Sequence, residues 1–115
     1  MTYKEVYNMV SGIGYPNAYH HFDEGNASDP PFICFYFDGS NDMTADNTNY
    51  QPIRPLTIEL YTDNKDFAAE AAVEATLKAN NLVYSRMETY ISTERLYMVT
   101  FLTQIIITEE TENNG

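Results

Sequence analysis

The sequence predicts one α+β domain: a mainly antiparallel five-stranded sheet with two helices packed on one face, in the order α-β-β-β-α-β-β. Two stretches with apolar residues at spacings of three and four predict the helices, and shorter alternating or continuous apolar runs predict the strands. Most connections are too short for the crossover that parallel strands require. No repeat or linker divides the chain. We therefore expect a single domain over residues 1–108, followed by a disordered acidic tail at 109–115.

The first helix is predicted from Thr2 to Val10. Thr2 can cap this helix, because Glu5 lies three residues further on and completes a capping box. Val6, Met9 and Val10 form an apolar stripe on one side. Two glycines follow and end the helix.

The first two strands are predicted at Asn17 to Phe22 and Phe32 to Phe37, separated by a stretch rich in turn residues. The second of them is apolar on both faces. Such a strand is typical of the centre of a sheet, or of a sheet whose outer face meets a partner. Residues 38–49 are polar apart from Met43 and predict a mobile loop after this strand.

A third strand is predicted from Leu56 to Tyr61 by strict alternation, with Leu56, Ile58 and Leu60 facing the core. Pro52 and Pro55 stand at its start, where proline removes ladder donors. They predict either an edge position or a late beginning of the pairing.

The second helix is rich in alanine and is predicted to run to about Ala79. Thr62, Asp63 or Asn64 can cap it, and Asp66 suits its first turn, near the positive end of the helix dipole. The last two strands are predicted at 82–88 and 96–108, joined by a short turn.

The charge of the chain excludes one class of function. Seventeen acidic residues stand against six basic ones, a formal charge of −11, and the basic residues are scattered singly. Nucleic-acid binding needs clustered Lys and Arg, so we expect no specific nucleic-acid binding, and anionic membranes are disfavoured for the same reason. No apolar run approaches the roughly 20 residues of a membrane span, and the N-terminus lacks the apolar core of a signal peptide. We expect the protein to begin in the cytoplasm.

No residue cluster predicts catalysis, a metal or a cofactor. Cys34 is the single cysteine and lies in an apolar strand, so we expect a buried small hydrophobe rather than a nucleophile. His20 and His21 are adjacent on a strand and should point to opposite faces, and no third histidine exists. Glu70 and Glu74, one helical turn apart, are better explained as a solvated face than as an acid/base pair.

The polar loop resembles a twelve-residue calcium loop only superficially. Its sixth position, which needs glycine, is Met43, and its twelfth, which needs a bidentate glutamate, is Asn49. We therefore expect a solvated loop rather than a calcium site, although a weakly held cation is left open.

Three stretches of the sequence are familiar when taken together: TYKEVY at 2–7 with GIGYPNAY at 12–19, PPFICFY at 30–36 with ADNTNY at 45–50, and LYTDNKDF at 60–67. They resemble the tail-completion or tail-terminator proteins of long-tailed phages and Gram-positive prophages, which join head and tail. The resemblance covers nearly the whole chain, to about residue 108.

The resemblance implies a virion morphogenesis protein of the same fold, without catalytic residues. Such a protein forms a ring, expected to be a hexamer, either in solution or only on assembly. The ring caps the tail tube and offers a surface to the filled head. The implied partners are other copies of the chain, the major tail tube protein and the head–tail connector proteins. The implied location is the host cytoplasm during assembly and then the virion.

Candidate contact residues come from the two-sided apolar strand, the polar loop after it and the outer face of the third strand, which would serve subunit or tube contacts. They are Phe35, Phe37, Asp42, Met43, Asp46, Asn49, Tyr50 and Tyr61. These features also fit an ordinary dimer.

Other functions remain open from the sequence. An acidic regulator or DNA mimic, without enzymatic activity, could occupy a basic site on a nuclease or repressor. The charge could also serve solubility alone. An enzyme would need a pocket with perturbed titrating groups around His20 or His21, and nothing in the sequence supports one.

Overall fold

Two helices and five strands make up the part of the chain that the structure describes. The computed structural model describes residues 1–23, 28–39 and 52–108. The elements are α1 (Tyr3–Ser11), β1 (Asn17–Tyr19), β2 (Phe32–Phe37), β3 (Ile53–Thr62), α2 (Phe67–Ala79), β4 (Tyr84–Ile91) and β5 (Leu96–Ile106). This order confirms the predicted α+β arrangement. The predicted tail at 109–115 and most of the predicted loop at 38–49 lie outside the described residues.

The strands form one mixed sheet in the order β1-β2-β3-β5-β4. Every neighbouring pair is antiparallel except β1 and β2, which run parallel. The sheet is therefore mainly antiparallel as predicted, with one parallel pair that the sequence did not predict. Residues 20–31 supply the roughly dozen residues that a parallel crossover needs. β1 ends at Tyr19 and not at Phe22, because His20 has a positive φ of 71° and leaves the strand conformation.

β3 is the central strand of the sheet, so the predicted edge position is wrong. The alternative prediction, a late beginning of the pairing, is confirmed for the side that faces β2, since β3 pairs with β2 only from Leu56. The N–H of Asp38 donates to the carbonyl of Pro55 at 2.9 Å, just before that point. The backbone N and O of a strand residue face the same neighbour, so the nitrogen of Pro55 faces the side where β2 has ended. The missing N–H therefore removes the second of the two hydrogen bonds that Asp38 and Pro55 could exchange, and the pairing of β2 with β3 begins at Leu56.

The two faces of the sheet differ in what covers them. Both helices pack on one face, the helix face, as predicted, and the opposite face is the open face. The buried apolar side chains of the helix face are Ile33, Phe35, Leu56, Ile58, Leu60, Val99, Phe101 and Ile105. The apolar stripes of the helices complete the same core with Val6, Met9, Val10, Ala69, Val73 and Leu77.

Both helices begin at side-chain caps. The Oγ1 of Thr2 accepts from the N–H of Glu5 at 3.1 Å, and the carboxylate of Glu5 accepts from the N–H of Thr2 at 2.8 Å, which confirms the capping box. α2 is capped by Asp66, whose carboxylate accepts from the N–H of Ala69 at 2.9 Å. The cap predicted within residues 62–64 is wrong, because β3 extends to Thr62 and the next residues turn the chain onto the helix face.

Candidate interaction surface

Three of the predicted contact residues lie in the described part of the chain, and they face different surroundings. Phe35 is 1% exposed and belongs to the core, so its side chain stabilises the fold and is not accessible to a partner. Phe37 is half-buried on the helix face, with the ring of Tyr3 and the guanidinium of Arg54 each 5.2 Å from its centroid. Tyr61 is half-buried on the open face. The others, Asp42, Met43, Asp46, Asn49 and Tyr50, lie outside the described residues.

Two tyrosines and one carboxylate meet on the open face, and we call Tyr36, Glu59 and Tyr61 the tyrosine–carboxylate cluster. The hydroxyl of Tyr36 donates to one oxygen of Glu59 at 3.0 Å, and the hydroxyl of Tyr61 donates to the other at 2.8 Å. Burial, followed by these hydrogen bonds, raises the pKa of Tyr36 to about 12 and also raises the pKa of Tyr61. Both phenols therefore remain donors at neutral pH and fix the carboxylate in place.

Further aromatic rings extend this cluster along the open face. Phe32 stacks on Tyr61, with centroids 4.9 Å apart and 17° between the planes, and Phe22 meets Phe32 edge-on at 5.4 Å. Cys34 lies opposite Glu59 and is buried, which confirms its prediction as a small core-like residue. Burial, and then the charge of Glu59, raise the pKa of the Cys34 thiol to about 11, so it is protonated at neutral pH.

Sequence reasoning did not select Tyr36 and Glu59 as contact residues. The signal that could have found them is the alternation of β2 and β3, which places every second residue on the open face. The predicted contact residue Phe35 lies on the same strand, one position away from the residues of the open face.

Charge is divided unequally between the two sides of the sheet. The open face carries Glu59 and Asp38, whose carboxylate accepts from the hydroxyl of Thr57 at 2.8 Å. The basic residues of the helix side, on the helices or bonded to residues there, are Lys4, Arg54, Lys65, Lys78 and Arg86. The sixth, Arg95, lies in the turn between β4 and β5. Within the described ranges the open face is therefore acidic, which suits a basic partner surface.

An ion-pair network joins α2 to strand β4. Glu70 is 3% exposed and bonds to Lys65 and to Arg86, whose Nη2 lies 2.6 Å from the carboxylate. Arg86 also bonds to Glu74, and Lys65 also bonds to Glu88. Burial acts to raise the pKa of Glu70, but the hydrogen bonds and charges of Lys65 and Arg86 outweigh it and hold this pKa below its ordinary value. The solvated face predicted for Glu70 is therefore wrong, because cations from outside the helix pair with the buried carboxylate.

Strand β4 forms a long and exposed edge of the sheet, whereas the other edge, β1, has only three residues. Every residue of β4 between its two ends is exposed, and Met87 and Tyr90 are 56% and 51% exposed. The strand contains no proline or lysine, and its pairing with β5 runs without interruption. Proline, lysine and bulges are among the devices that protect sheet edges from pairing with other chains, and β4 has none of these three; its charged residues are Arg86 and Glu88, which point to the helix face.

A cleft of about 940 Å³ opens beside the beginning of β4. Its walls include Leu102, Ile106 and Val83, of which Val83 is 91% exposed. Asp38 supplies the one carboxylate among the lining residues. Among its described lining residues, the cleft therefore favours apolar contact and has no pair of carboxylates for acid–base chemistry.

His20 and His21 lie on the surface just beyond β1. Their Nδ1 atoms are 3.1 Å apart, so the two rings meet instead of pointing to opposite faces as predicted, because the positive φ of His20 turns the chain. In residues 1–23, 28–39 and 52–108, no group of three or more His, Cys, Asp and Glu side chains could hold a metal ion. Neither of the two described helices has the length and apolar character that crossing a membrane requires.

Comparison with known proteins gives a likeness of fold. No protein-family model matches the chain, and no curated protein matches it. A chain in the virion of a native gene transfer agent particle aligns with 84% of this chain and 81% of its own length, at a TM-score of 0.54 and 12% sequence identity. At that identity the comparison shows a shared fold, which confirms the α+β class.

Proposed function

We propose that the chain is a virion structural protein that acts in tail completion, as a tail terminator that caps the tail tube and forms part of the head–tail joint. The observation that carries this proposal is the fold shared with a virion chain over 84% of the sequence. The resemblance of three sequence stretches to tail-completion and tail-terminator proteins supports it independently. The proposed role is non-enzymatic, since it needs surfaces and not a reaction.

The open face supports contact with proteins and opposes binding to DNA. Glu59 and Asp38 give this face negative charge, and its aromatic rings provide area for contact with a partner. A negative surface repels phosphate, so DNA could pass such a protein without adhering to it. We therefore propose basic or apolar surfaces of the tail tube protein and of the connector proteins as partners.

The proposed assembly is a ring of identical chains, with six copies as the expected number. A ring requires two different patches that fit each other, because each chain contacts its two neighbours with unlike surfaces. The chain offers unlike surfaces in its two sheet edges and in its helix and open faces. The protein would assemble in the host cytoplasm and remain in the virion.

Labelling of purified particles tests the proposal. A phage or prophage carrying this chain with an epitope tag at its C-terminus is induced, and headless tails and whole particles are examined by immunogold negative-stain microscopy. We expect gold at the upper end of the tail tube and at the head–tail joint. Particles from the untagged strain provide the control. Tails of normal appearance without gold at that end would refute the tail-terminator role.

A matched pair of variants tests whether the open face takes part in the head–tail joint. Glu59→Gln removes the charge of the tyrosine–carboxylate cluster but keeps a group that can hydrogen-bond, and Glu94→Gln removes the same charge from the exposed turn before β5. We expect fewer joined particles with Glu59→Gln than with Glu94→Gln, at similar melting temperatures. Equal numbers would exclude the open face from the joint.

A further inference from the structure

In the described part of the chain, no strand pairs with the outer edge of β4. Its residues from Ser85 to Tyr90 are exposed, and its outer backbone groups face away from β5. α2 does not cover it, since the side chains of Arg86 and Glu88, which point to the helix face, are 37% and 43% exposed. A second strand could therefore approach this edge without displacing the helix.

We propose that a second copy of the chain pairs with β4 through its own β4, antiparallel, about a two-fold axis at Met87. In this arrangement the sheets of the two copies join into one continuous sheet. Arg86 then lies opposite Glu88 of the partner subunit, and Glu88 lies opposite the partner subunit's Arg86. Tyr84 lies opposite the partner's Tyr90, and Ser85 lies opposite the partner's Thr89. The two Met87 side chains meet at the axis on the open face.

Geometry restricts the registers that such a pair can adopt. A two-fold axis perpendicular to the sheet keeps each face on its own side, and residues directly opposite each other in an antiparallel pair share a face. The axis must therefore pass through a residue and not between two residues. An axis at Arg86 or Glu88 would place two like charges directly opposite each other, which is destabilising.

The axis at Met87 is the one that combines long pairing with charge complementarity. With this axis, residues 84–90 of one copy pair with residues 84–90 of the other. Arg86 of each copy then lies opposite Glu88 of the other copy, once on each side of the axis. An axis at Thr89 avoids like charges but shortens the pairing to 87–91 and leaves Arg86 without a partner across the contact. The sequence of β4 thus matches its own copy in one register.

The expected contact is weak and depends on protein concentration. An edge pairing of one strand from each copy buries less surface than a standard stable interface. The inference concerns the free chain in solution and does not rest on the proposed role in the tail.

Disulfide trapping tests both the pairing and its register. In a Cys34→Ala background, Met87→Cys places two thiols opposite each other, at a Cα separation of roughly 4.5–5.5 Å that suits a disulfide. We expect Met87→Cys to form covalent dimers under mild oxidation with glutathione disulfide. Thr89→Cys is the matched control, because it lies on the same face and is exposed but faces Ser85. We expect at least tenfold less dimer from Thr89→Cys alone.

A mixed experiment fixes the register independently. Ser85→Cys and Thr89→Cys, combined as two separate proteins, should form mixed disulfide dimers, whereas each alone should not. Sedimentation at increasing concentration should show a monomer–dimer equilibrium for the unmodified chain, shifted towards monomer by Met87→Lys, which sets two ammonium groups at the axis. Self-linking of Thr89→Cys as fast as Met87→Cys would overturn the register. Absence of dimer at all concentrations, together with no trapping of Met87→Cys, would overturn the pairing.

Discussion

Replacing Glu70 by glutamine should destabilise the fold through loss of the ion-pair network. The carboxylate of Glu70 is nearly inaccessible to water and bonds to both Lys65 and Arg86. Hydrogen bonds to charged groups contribute roughly 1.5–3 kcal/mol each. The loss should be smaller than their sum, because both cations are partly exposed and each retains a second acidic partner, Glu88 or Glu74. We expect a loss of about 2 kcal/mol in the free energy of unfolding.

Thermal unfolding followed by circular dichroism at pH 7 measures this effect. For a domain of this size, 1 kcal/mol corresponds to about 4 °C in melting temperature, so Glu70→Gln should melt about 8 °C lower. Glu74→Gln is the matched control, since Glu74 lies one turn further along α2 and bonds to the same Arg86, but its side chain is 23% exposed. An exposed pair contributes roughly 0.2–1 kcal/mol, so the control should melt within about 4 °C of the unmodified protein.

The pH dependence of the stability distinguishes a loss of ion pairs from a loss of packing. The folded pKa of Glu70 lies below its unfolded value of 4.5. A carboxyl of this kind stabilises the fold fully above its unfolded pKa, and the contribution disappears as the pH falls through the folded pKa. The difference in the free energy of unfolding between the unmodified protein and Glu70→Gln should therefore be constant from pH 7 to about 5 and should become smaller below pH 4.5. A difference that stays constant down to the lowest pH at which both proteins fold would refute the ion-pair account, and so would an equal loss in Glu74→Gln.

Four further results follow from the same structure. Tyr61→Phe should lower the stability by about 1 kcal/mol through loss of the hydrogen bond to Glu59, measured by urea unfolding, and a change below 0.3 kcal/mol would contradict that role. Because the pKa of Tyr36 is raised to about 12, its proton stabilises the fold below pH 10 and this contribution is lost as the pH rises through 12. Phenolate absorbance should therefore show one late-titrating tyrosine fewer in Tyr36→Phe, which retains Tyr61 with its raised pKa. The Cys34 thiol should react with Ellman's reagent at least a hundredfold more slowly in the folded protein than in urea, and rapid reaction in the native state would contradict its burial. Asp66→Ala should cost about 1 kcal/mol as a lost helix cap, whereas Asp63→Ala should change the melting temperature by less than 2 °C if residue 66 is the cap.

The features predicted correctly are those that depend on neighbours in sequence. The capping box of Thr2 and Glu5 involves residues three apart, so the spacing alone identifies it. The alternation of β3 likewise identifies its buried side, since Leu56, Ile58 and Leu60 are all fully buried. Local pattern is sufficient for these two features but not for the cap of α2, where Asp66 bonds to Ala69 only three residues away.

Two other wrong predictions, for Glu70 and for the position of β3, concern contacts between distant segments. Glu70 lies three and seven residues before Val73 and Leu77, on the buried side of α2, and its carboxylate bonds to Arg86 of β4, sixteen residues away in the chain. The edge position predicted for β3 is wrong for a related reason, because β5 pairs with β3 on the side opposite β2.

The two-sided strand β2 shows the same limit for the candidate surface. Its pattern permitted a helix layer on either face, and nothing local distinguishes the side of Phe35 from the side of Tyr36. The structure places the helices over Phe35, which leaves Tyr36 and the carboxylate of Glu59 on the open face. A choice between the two faces shifts the candidate contact residues of β2, Phe35 and Phe37, by one position.

The two edges of the sheet also limit how a proposed ring could be built. Head-to-tail addition of strands would join β4 of one chain to β1 of the next, and β1 is only three residues long. The two-fold pairing of β4 with its copy uses Tyr84 to Tyr90, so strand addition alone favours a closed pair over a ring. A ring therefore needs side-chain contacts between the faces, or a tail-tube surface that binds the ring more tightly than the pair. On this reasoning, dimers trapped through Met87→Cys should fail to assemble on tails until the disulfide is reduced, whereas assembly of the locked dimer would show that the β4 contact persists in the virion.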